Sequence, residues 1–335
     1  MSDSIFYKIR SGKNSKLLYF TRNYLRQLVP RPFYTHRLQQ VLRAVEERPD
    51  KAYIYSRANY YCRLPIGTPL PPEADGIGKL RLGSQKVYYF DAQEVLRWFP
   101  PALRWAYLPG DVDFIPDSPA VSKSRPIASD GRNANATILK LDKVRHFIFL
   151  RDGKAFSEKA DKAVFLGKVN GKAARQDFLR KYFGHPRVVA GCVDSDPSIP
   201  PEWMCPKMTL YSHFDYKFIL ALEGNDVASN LKWVMWSNSL AVMPRPTCET
   251  WFMEGRLIPN VHYVEIRPDF SDLVERMDYY TSHPDEAQAI INNAHRYCAQ
   301  FMDKKRETLI GLLTMQRYFA ATGQLPVEPW MLQRV

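Results

Sequence analysis

The chain has 335 residues, a formal charge of +12 and 45% hydrophobic residues, enough length and apolar content for two domains with well-formed cores. This excludes a disordered chain, and no apolar run reaches the ~18 residues of a membrane span. The N-terminus (MSDSIFYKIRSGKNSK) lacks an apolar leader core, so a cytoplasmic location is expected. Five cysteines, Cys62, Cys192, Cys205, Cys248 and Cys298, include no Cys-x-x-Cys pair and no His at metal-ligand spacing, and are expected to be reduced packing residues.

The charge is uneven. Residues 1–48 hold ten Lys and Arg against Asp3, Glu46 and Glu47. Leu17, Leu18, Tyr19, Phe20, Tyr24, Leu25, Leu28 and Val29 interleave with Lys16, Arg22, Arg26 and Arg31, the composition of a basic amphipathic segment at an anionic membrane surface. A solvated basic face is the plainer alternative; no nucleic-acid motif accompanies the charge, so nucleic acid is not an expected partner.

In chain order, Leu38, Val41, Leu42 and Val45 predict a helix over 35–48, with Thr35 as its cap and Pro49 as its stop. LPIGTPLPPEADGIG (64–78) predicts a loop that covers an edge. Lys86 to Phe90 is expected to be a strand, and Ala92 to Trp98 a short helix. In GDVDFIPDSP (110–119) prolines on both sides of Asp117 disfavour helix and hold that carboxylate in an extended loop, suited to a base or to an Asx-type turn. Asp111-Val112-Asp113 and Asp194-Ser195-Asp196 have the spacing of a metal-holding pair, but neither is expected to follow an apolar strand.

Ala163 to Gly167 predicts a strand, followed by the basic turn Lys168-Val169-Asn170-Gly171-Lys172 and a helix with Phe178, Leu179 and Tyr182 apolar. Cationic side chains at such a strand-to-helix turn suit an anion. A second unit of this kind opens at Phe218 to Leu222, continues through Glu223-Gly224-Asn225-Asp226, and predicts a helix with Val227, Leu231, Val234 and Met235 on one face. Asn225 or Asp226 is expected to cap that helix. Leu240 to Met243 predicts the parallel partner strand of a β-α-β unit, whose ligands sit beyond the carboxyl ends of the strands. Glu249 suits either ribose hydroxyls or the first turn of a helix. Trp251 and Phe252 are expected in the core, and His262 in a strand. Ser271 and Asp272 begin a further helix. Asp285 to about Thr322 is helical in pattern, with an interruption expected near Gly311.

Glu223-Gly224-Asn225-Asp226-Val227-Ala228-Ser229-Asn230-Leu231-Lys232-Trp233, Glu249-Thr250-Trp251-Phe252-Met253-Glu254-Gly255 and Val261-His262-Tyr263-Val264 closely resemble glycosyltransferase family 90, which includes bacterial lipopolysaccharide glycosyltransferases and eukaryotic protein O-glucosyltransferases. The resemblance is strongest over residues 110–300. It implies an α/β chain of GT-B architecture, with two Rossmann-like domains facing a cleft and a C-terminal helix crossing back. The implied division is an acceptor domain at 1–159, a nucleotide-sugar domain at 160–305 and a helical segment at 306–335 returning to the first domain.

The same resemblance implies site residues. Asp117-Ser118-Pro119 matches the family's Asp-x-Pro loop and makes Asp117 the general base. Lys123-Ser124-Arg125-Pro126 resembles the bacterial members and puts Lys123 and Arg125 on the acceptor side. At the first strand end, where the family carries Phe-Arg-Gly, Leu166 replaces the Arg before Gly167, leaving Lys168 and Arg175 for the nucleotide. Gly224, Asn225, Asp226, Val227, Ala228, Ser229 and Asn230 form the donor loop; Asn230 stands where the eukaryotic members hold an Arg on the pyrophosphate, with Lys232 nearby and Glu249 beyond. The implied reaction is inverting transfer of a sugar from a UDP-sugar to a lipopolysaccharide or other glycan acceptor, without metal. The enzyme would be cytoplasmic, peripheral on the inner face of the membrane. The competing expectations are a metal-dependent GT-A-like transferase using an Asp-x-Asp pair, and a non-catalytic basic protein docking on membrane glycolipid.

Overall fold

The computed structural model describes residues 11–194 and 196–333. Residues 1–10, part of the basic N-terminal region, and Ser195, the centre of the second Asp-x-Asp triplet, lie outside the described residues. The described chain divides into two compact units: a sheet unit (11–14, 145–246 and 254–300) and a helical unit (15–144, 247–253 and 301–333). The expected divisions at 159/160 and 305/306 do not coincide with these boundaries, and residues 247–253, expected with the nucleotide, belong to the helical unit.

In the sheet unit, strands β1 (Ala160–Gly167), β2 (Val188–Cys192), β3 (Tyr216–Leu220), β4 (Leu240–Met243) and β5 (Val264–Glu265) pair in the order β5-β4-β3-β1-β2, all parallel. Helices α1 (Ala173–Tyr182) and α2 (Leu231–Met235) follow β1 and β3, and α3 (Leu273–Ser282) and α4 (Pro284–Ala299) close the unit. Parallel strands need such crossovers and are covered on their faces, which explains the unbroken apolar runs at Phe218 to Leu222 and Leu240 to Met243. One core gathers Phe165, Phe178, Phe218, Val242, Val264 and Met277. Each large buried side chain contributes about 1.5–3 kcal/mol.

This strand order reverses direction at β1: the chain passes from β1 outward to β2, then returns to the other side of β1 to form β3. The C-terminal ends of β1 and β3 therefore flank a topological switch point, where no crossover helix blocks the crevice and ligands of open α/β sheets bind.

The helical unit is built around helix Lys304–Ala321, whose Leu309, Ile310, Leu312, Leu313, Met315, Tyr318 and Phe319 are all buried. A helix apolar on every side belongs inside a core; it packs on helices Lys51–Tyr61 and Lys86–Leu96. Three short parallel strands, Tyr107–Leu108, Ala120–Ser122 and Ala136–Ile138, complete a smaller sheet. Separately, Ser124–Pro126 pairs antiparallel with Cys248–Thr250.

Several expected elements differ. Residues 86–90 are helical, not a strand: the aromatic run Tyr88-Tyr89-Phe90 suggests β-structure locally, but Phe90 is buried from a helix, and packing overrides that weak preference. The helix expected over 35–48 is two short ones, Arg31–Thr35 and Leu38–Arg43, and Thr35 ends the first rather than capping the second. The late interruption falls at residues 300–303, where Asp303 accepts from the amides of Lys305 and Arg306; Gly311 lies within the helix, close against Val95. His262 sits in a turn, its Nδ1 accepting from the amide of Ile258 at 2.9 Å. Trp251 and Phe252 are core residues, the former stacked on Tyr61 at 3.9 Å.

Candidate functional site

The loops after β1 and β3 meet at the switch point. Burial of Val164, Phe165, Phe218 and Leu220 fixes the two strands side by side, so whatever follows each strand is delivered to the same place. After β1 comes the basic turn, closed by Gly171 at φ +66°, a left-handed conformation that glycine adopts without steric cost. After β3 the chain runs through Glu223 and Gly224 without helix until α2 begins at Leu231.

Arg175, on the first turn of α1, joins the two loops. Its Nε donates to the carbonyl of Glu223 at 2.9 Å, one terminal nitrogen donates to that of Leu222 at 2.7 Å, and the other to that of Lys168 at 2.9 Å. A Cβ on Gly224 would lie 3.1 Å from the guanidinium, so glycine is what permits this approach. Burial lowers the pKa of Arg175 to about 10, which leaves it cationic at neutral pH. Two of its five N–H groups are not used by these three bonds.

Two further cations border the crevice. Lys172 donates to Oδ1 of Asn225 at 2.7 Å, tying the turn to the loop after β3. The exposed Lys168 ammonium stands 3.5 Å from Asp194. Lys172 precedes α1 and provides no side-chain cap, and the first turn of α1 holds no acid. The positive end of a ten-residue helix thus adds to three cationic side chains, a local field suited to a diphosphate.

The remaining residues of the loop after β3 have different environments. Asp226, Val227 and Ala228 are buried, and Asn230 donates to the carbonyl of Leu220 at 2.9 Å. Neither Asn225 nor Asp226 caps α2; Asn230 occupies the N-cap position without a side-chain cap bond. Gly167, at the end of β1, ties β1 to the chain beyond β2 through its carbonyl, 3.1 Å from the amide of Val193. Lys232 is fully buried in the sheet unit and donates to Oε1 of Glu254 at 2.6 Å, a pairing that keeps its charge inside the fold.

The Asp-x-Asp pairs also differ from expectation. Asp194 does follow a strand, lying two residues beyond β2, a five-residue Val-Val-Ala-Gly-Cys segment. It pairs with Lys168, while Asp196 accepts from Asn170 and Ser198. In the helical unit Asp111 pairs with the buried Lys123. Among the described residues no group of three or more His, Cys, Asp and Glu side chains converges.

Asp117 lies in the helical unit with an exposed side chain on an irregular loop. Asn135 holds that loop: its Nδ2 donates to the carbonyls of Pro116 at 3.1 Å and Asp117 at 3.0 Å. Nothing in the sequence pointed to Asn135. Lys172, by contrast, was visible in the basic turn.

Arg125 and Glu249 sit directly opposite each other in the antiparallel pair of strands. Arg125 donates to Glu249 at 2.8 Å and to the carbonyls of Tyr60, Tyr61 and Ala136; Tyr60 also donates to Glu249. Within the helical unit Glu249 is thus a buried partner of Arg125 and Tyr60.

The sequence model for "Glycosyl transferase family 90" matches residues 136–318, which takes in the switch-point loops and Glu249. The chain is 41% identical over 273 residues to "O-glucosyltransferase LpsA" of Dichelobacter nodosus, an alignment covering 81% of this chain and 84% of that protein. It is 29% identical over 134 residues to "Uncharacterized protein 035R" of Invertebrate iridescent virus 3, covering 38% of this chain and 12% of that much longer protein. With a parallel sheet opened at its switch point, a cationic crevice there and these two similarities, the chain belongs to glycosyltransferase family 90 and is a glycosyltransferase.

Proposed function

We propose that this enzyme transfers a sugar from a UDP-sugar to a lipopolysaccharide or other glycan acceptor, with inversion and with Asp117 as general base. The observation that carries the donor half is the meeting of Lys168, Lys172 and Arg175 beside the Gly224 loop at the β1/β3 switch point. These cations and the start of α1 supply the positive charge that stabilises the diphosphate as it leaves, so the reaction proceeds without a metal. The relative's name makes glucose the first sugar to test.

The architecture proposed is GT-B, the sheet unit handling the donor and the helical unit the acceptor. In the chemical step the acceptor hydroxyl oxygen attacks the anomeric carbon while the bond from that carbon to the diphosphate oxygen breaks. The bonding pair leaves with UDP and the hydroxyl proton passes to the Asp117 carboxylate. The acceptor is displayed on the inner face of the cytoplasmic membrane, and the basic N-terminal region brings the enzyme there. No helix among the described residues is long and apolar enough to cross a membrane.

UDP titration with and without EDTA, joined to a screen of UDP-sugars for donor hydrolysis, tests the reading without a known acceptor. Saturable UDP binding that survives EDTA and hydrolysis of one UDP-sugar are expected. Binding lost in EDTA would replace this mechanism with a metal-dependent one, and absence of binding would remove the donor assignment.

A further inference from the structure

Helix Lys16–Gln27 is packed inside out. Ser15 caps it, accepting from the amide of Leu18. The face turned to the helical unit is the polar and aromatic one: Tyr19 donates to Asp91 at 2.7 Å, Asn23 is 4% exposed, and Arg26 pairs with Glu94 at 2.5 Å. These three positions follow the i, i+4, i+7 spacing of a single face. The leucines lie outside it: Leu17 is 77% exposed, Leu18 70%, Leu25 60% and Leu28 77%. An amphipathic helix on a core normally buries its apolar stripe. Here specific bonds to Asp91 and Glu94 hold the opposite orientation, so the exposed leucines are not a failure of packing.

The chemistry around the stripe identifies what covers it. Lys16 and Arg22 are exposed on the same helix, and from residue 4 to residue 45 the sequence has no Asp or Glu. An apolar stripe on a helix that carries cations and no acid complements a surface with anionic head groups over hydrocarbon, the two layers of a bilayer interface. We infer that the outer face of this helix inserts its leucines into the interfacial layer of an anionic membrane while Lys16 and Arg22 engage lipid phosphates. The inference deepens the proposed function and rests on it in one respect, that the acceptor is displayed on a membrane.

The test is co-flotation of the full chain with vesicles of phosphatidylethanolamine and phosphatidylglycerol, and with phosphatidylcholine vesicles alone. Binding is expected to the anionic vesicles and to weaken as salt rises. The double variant Leu18→Asp/Leu25→Asp should bind at least about tenfold more weakly, because the apolar contribution is lost, and Lys16→Glu/Arg22→Glu should lose the preference for anionic lipid. Both should keep the parent's melting temperature, since these side chains are exposed, and the parent's rate of UDP-sugar hydrolysis in solution. Parental vesicle binding by the leucine variant, or no vesicle binding by the parent, would overturn the inference. So would a parent dimer that this variant converts to monomer, which would make the stripe an interface between copies. Absence of hydrolysis in every form would instead remove the proposed reaction and leave the membrane result standing.

Discussion

Arg125 donates from Nε to Oε1 of Glu249 at 2.8 Å, with both side chains withdrawn from solvent. The two residues are far apart in sequence but opposite each other in register, and the pair fastens residues 247–253 into the helical unit. At the end of that segment Met253 adopts φ +56°, unusual for a residue with a side chain, and the chain enters the sheet unit at Glu254. Removing one partner of a buried pair leaves an uncompensated charge and costs about 3–5 kcal/mol. Arg125→Met should therefore lower the melting temperature sharply, with UDP affinity of the remaining folded protein unchanged. Reduced UDP affinity at unchanged stability would give Glu249 a donor role instead.

At the switch point, Arg175 and Lys168 differ in what else they do. Arg175 satisfies the carbonyls of Lys168, Leu222 and Glu223, whereas the Lys168 ammonium is exposed. Arg175→Ala should weaken UDP binding by roughly tenfold to a hundredfold, at about 1.5–3 kcal/mol for a charge-assisted contact, and also destabilise the sheet unit. Lys168→Ala should weaken UDP binding with no change in melting temperature. Calorimetric titration and thermal unfolding on the same samples separate the two effects; equal UDP affinity in both variants and the parent would place the nucleotide elsewhere.

For the acceptor half, Asp117→Asn keeps shape and removes basicity. It should retain UDP affinity and fold but lose about 10²- to 10⁴-fold in transfer rate, the usual contribution of a positioned base. Asn135→Ala frees the carbonyls of Pro116 and Asp117 and should lower kcat with little change in the donor KM. Single-turnover transfer measurements check both, and a fully active Asp117→Asn enzyme would transfer the role to another acid.

The acid limb of stability should depend on Glu307, which accepts from Arg57 at 2.5 Å, Lys140 at 2.8 Å and the Trp251 indole at 2.6 Å. Burial alone would raise its pKa, but Lys140 and Arg57 outweigh that and hold it below the ordinary 4.5. A depressed carboxylate contributes stability that is fully present above the unfolded-state pKa and lost as pH falls through the folded-state value. Stability should thus fall below about pH 4.5, and Glu307→Gln should be destabilised at neutral pH with a flatter acid limb. An unchanged acid limb in that variant would assign the effect to other carboxylates.

The architecture of the sheet unit is legible in the residues alone, because parallel strands buried on both faces require unbroken apolar runs. Phe218 to Leu222 and Leu240 to Met243 are such runs, and the basic turn at Lys168 to Lys172 marks the crevice beside them. Family membership was also legible, since Glu223 to Trp233 and Glu249 to Gly255 are contiguous motifs. The partners of individual charges, by contrast, come from long-range packing. Spacing says nothing of whether Lys232 faces a phosphate or Glu254, or whether Glu249 faces a ribose or Arg125; burial selects the partner, because an unpaired charge is not tolerated inside. The same holds for residues 86–90 and for helix Lys16–Gln27. Local preference favoured a strand at 86–90, where burial of Phe90 holds a helix, and composition marked 16–31 as amphipathic without saying which face packs, which the bonds of Tyr19 to Asp91 and Arg26 to Glu94 decide.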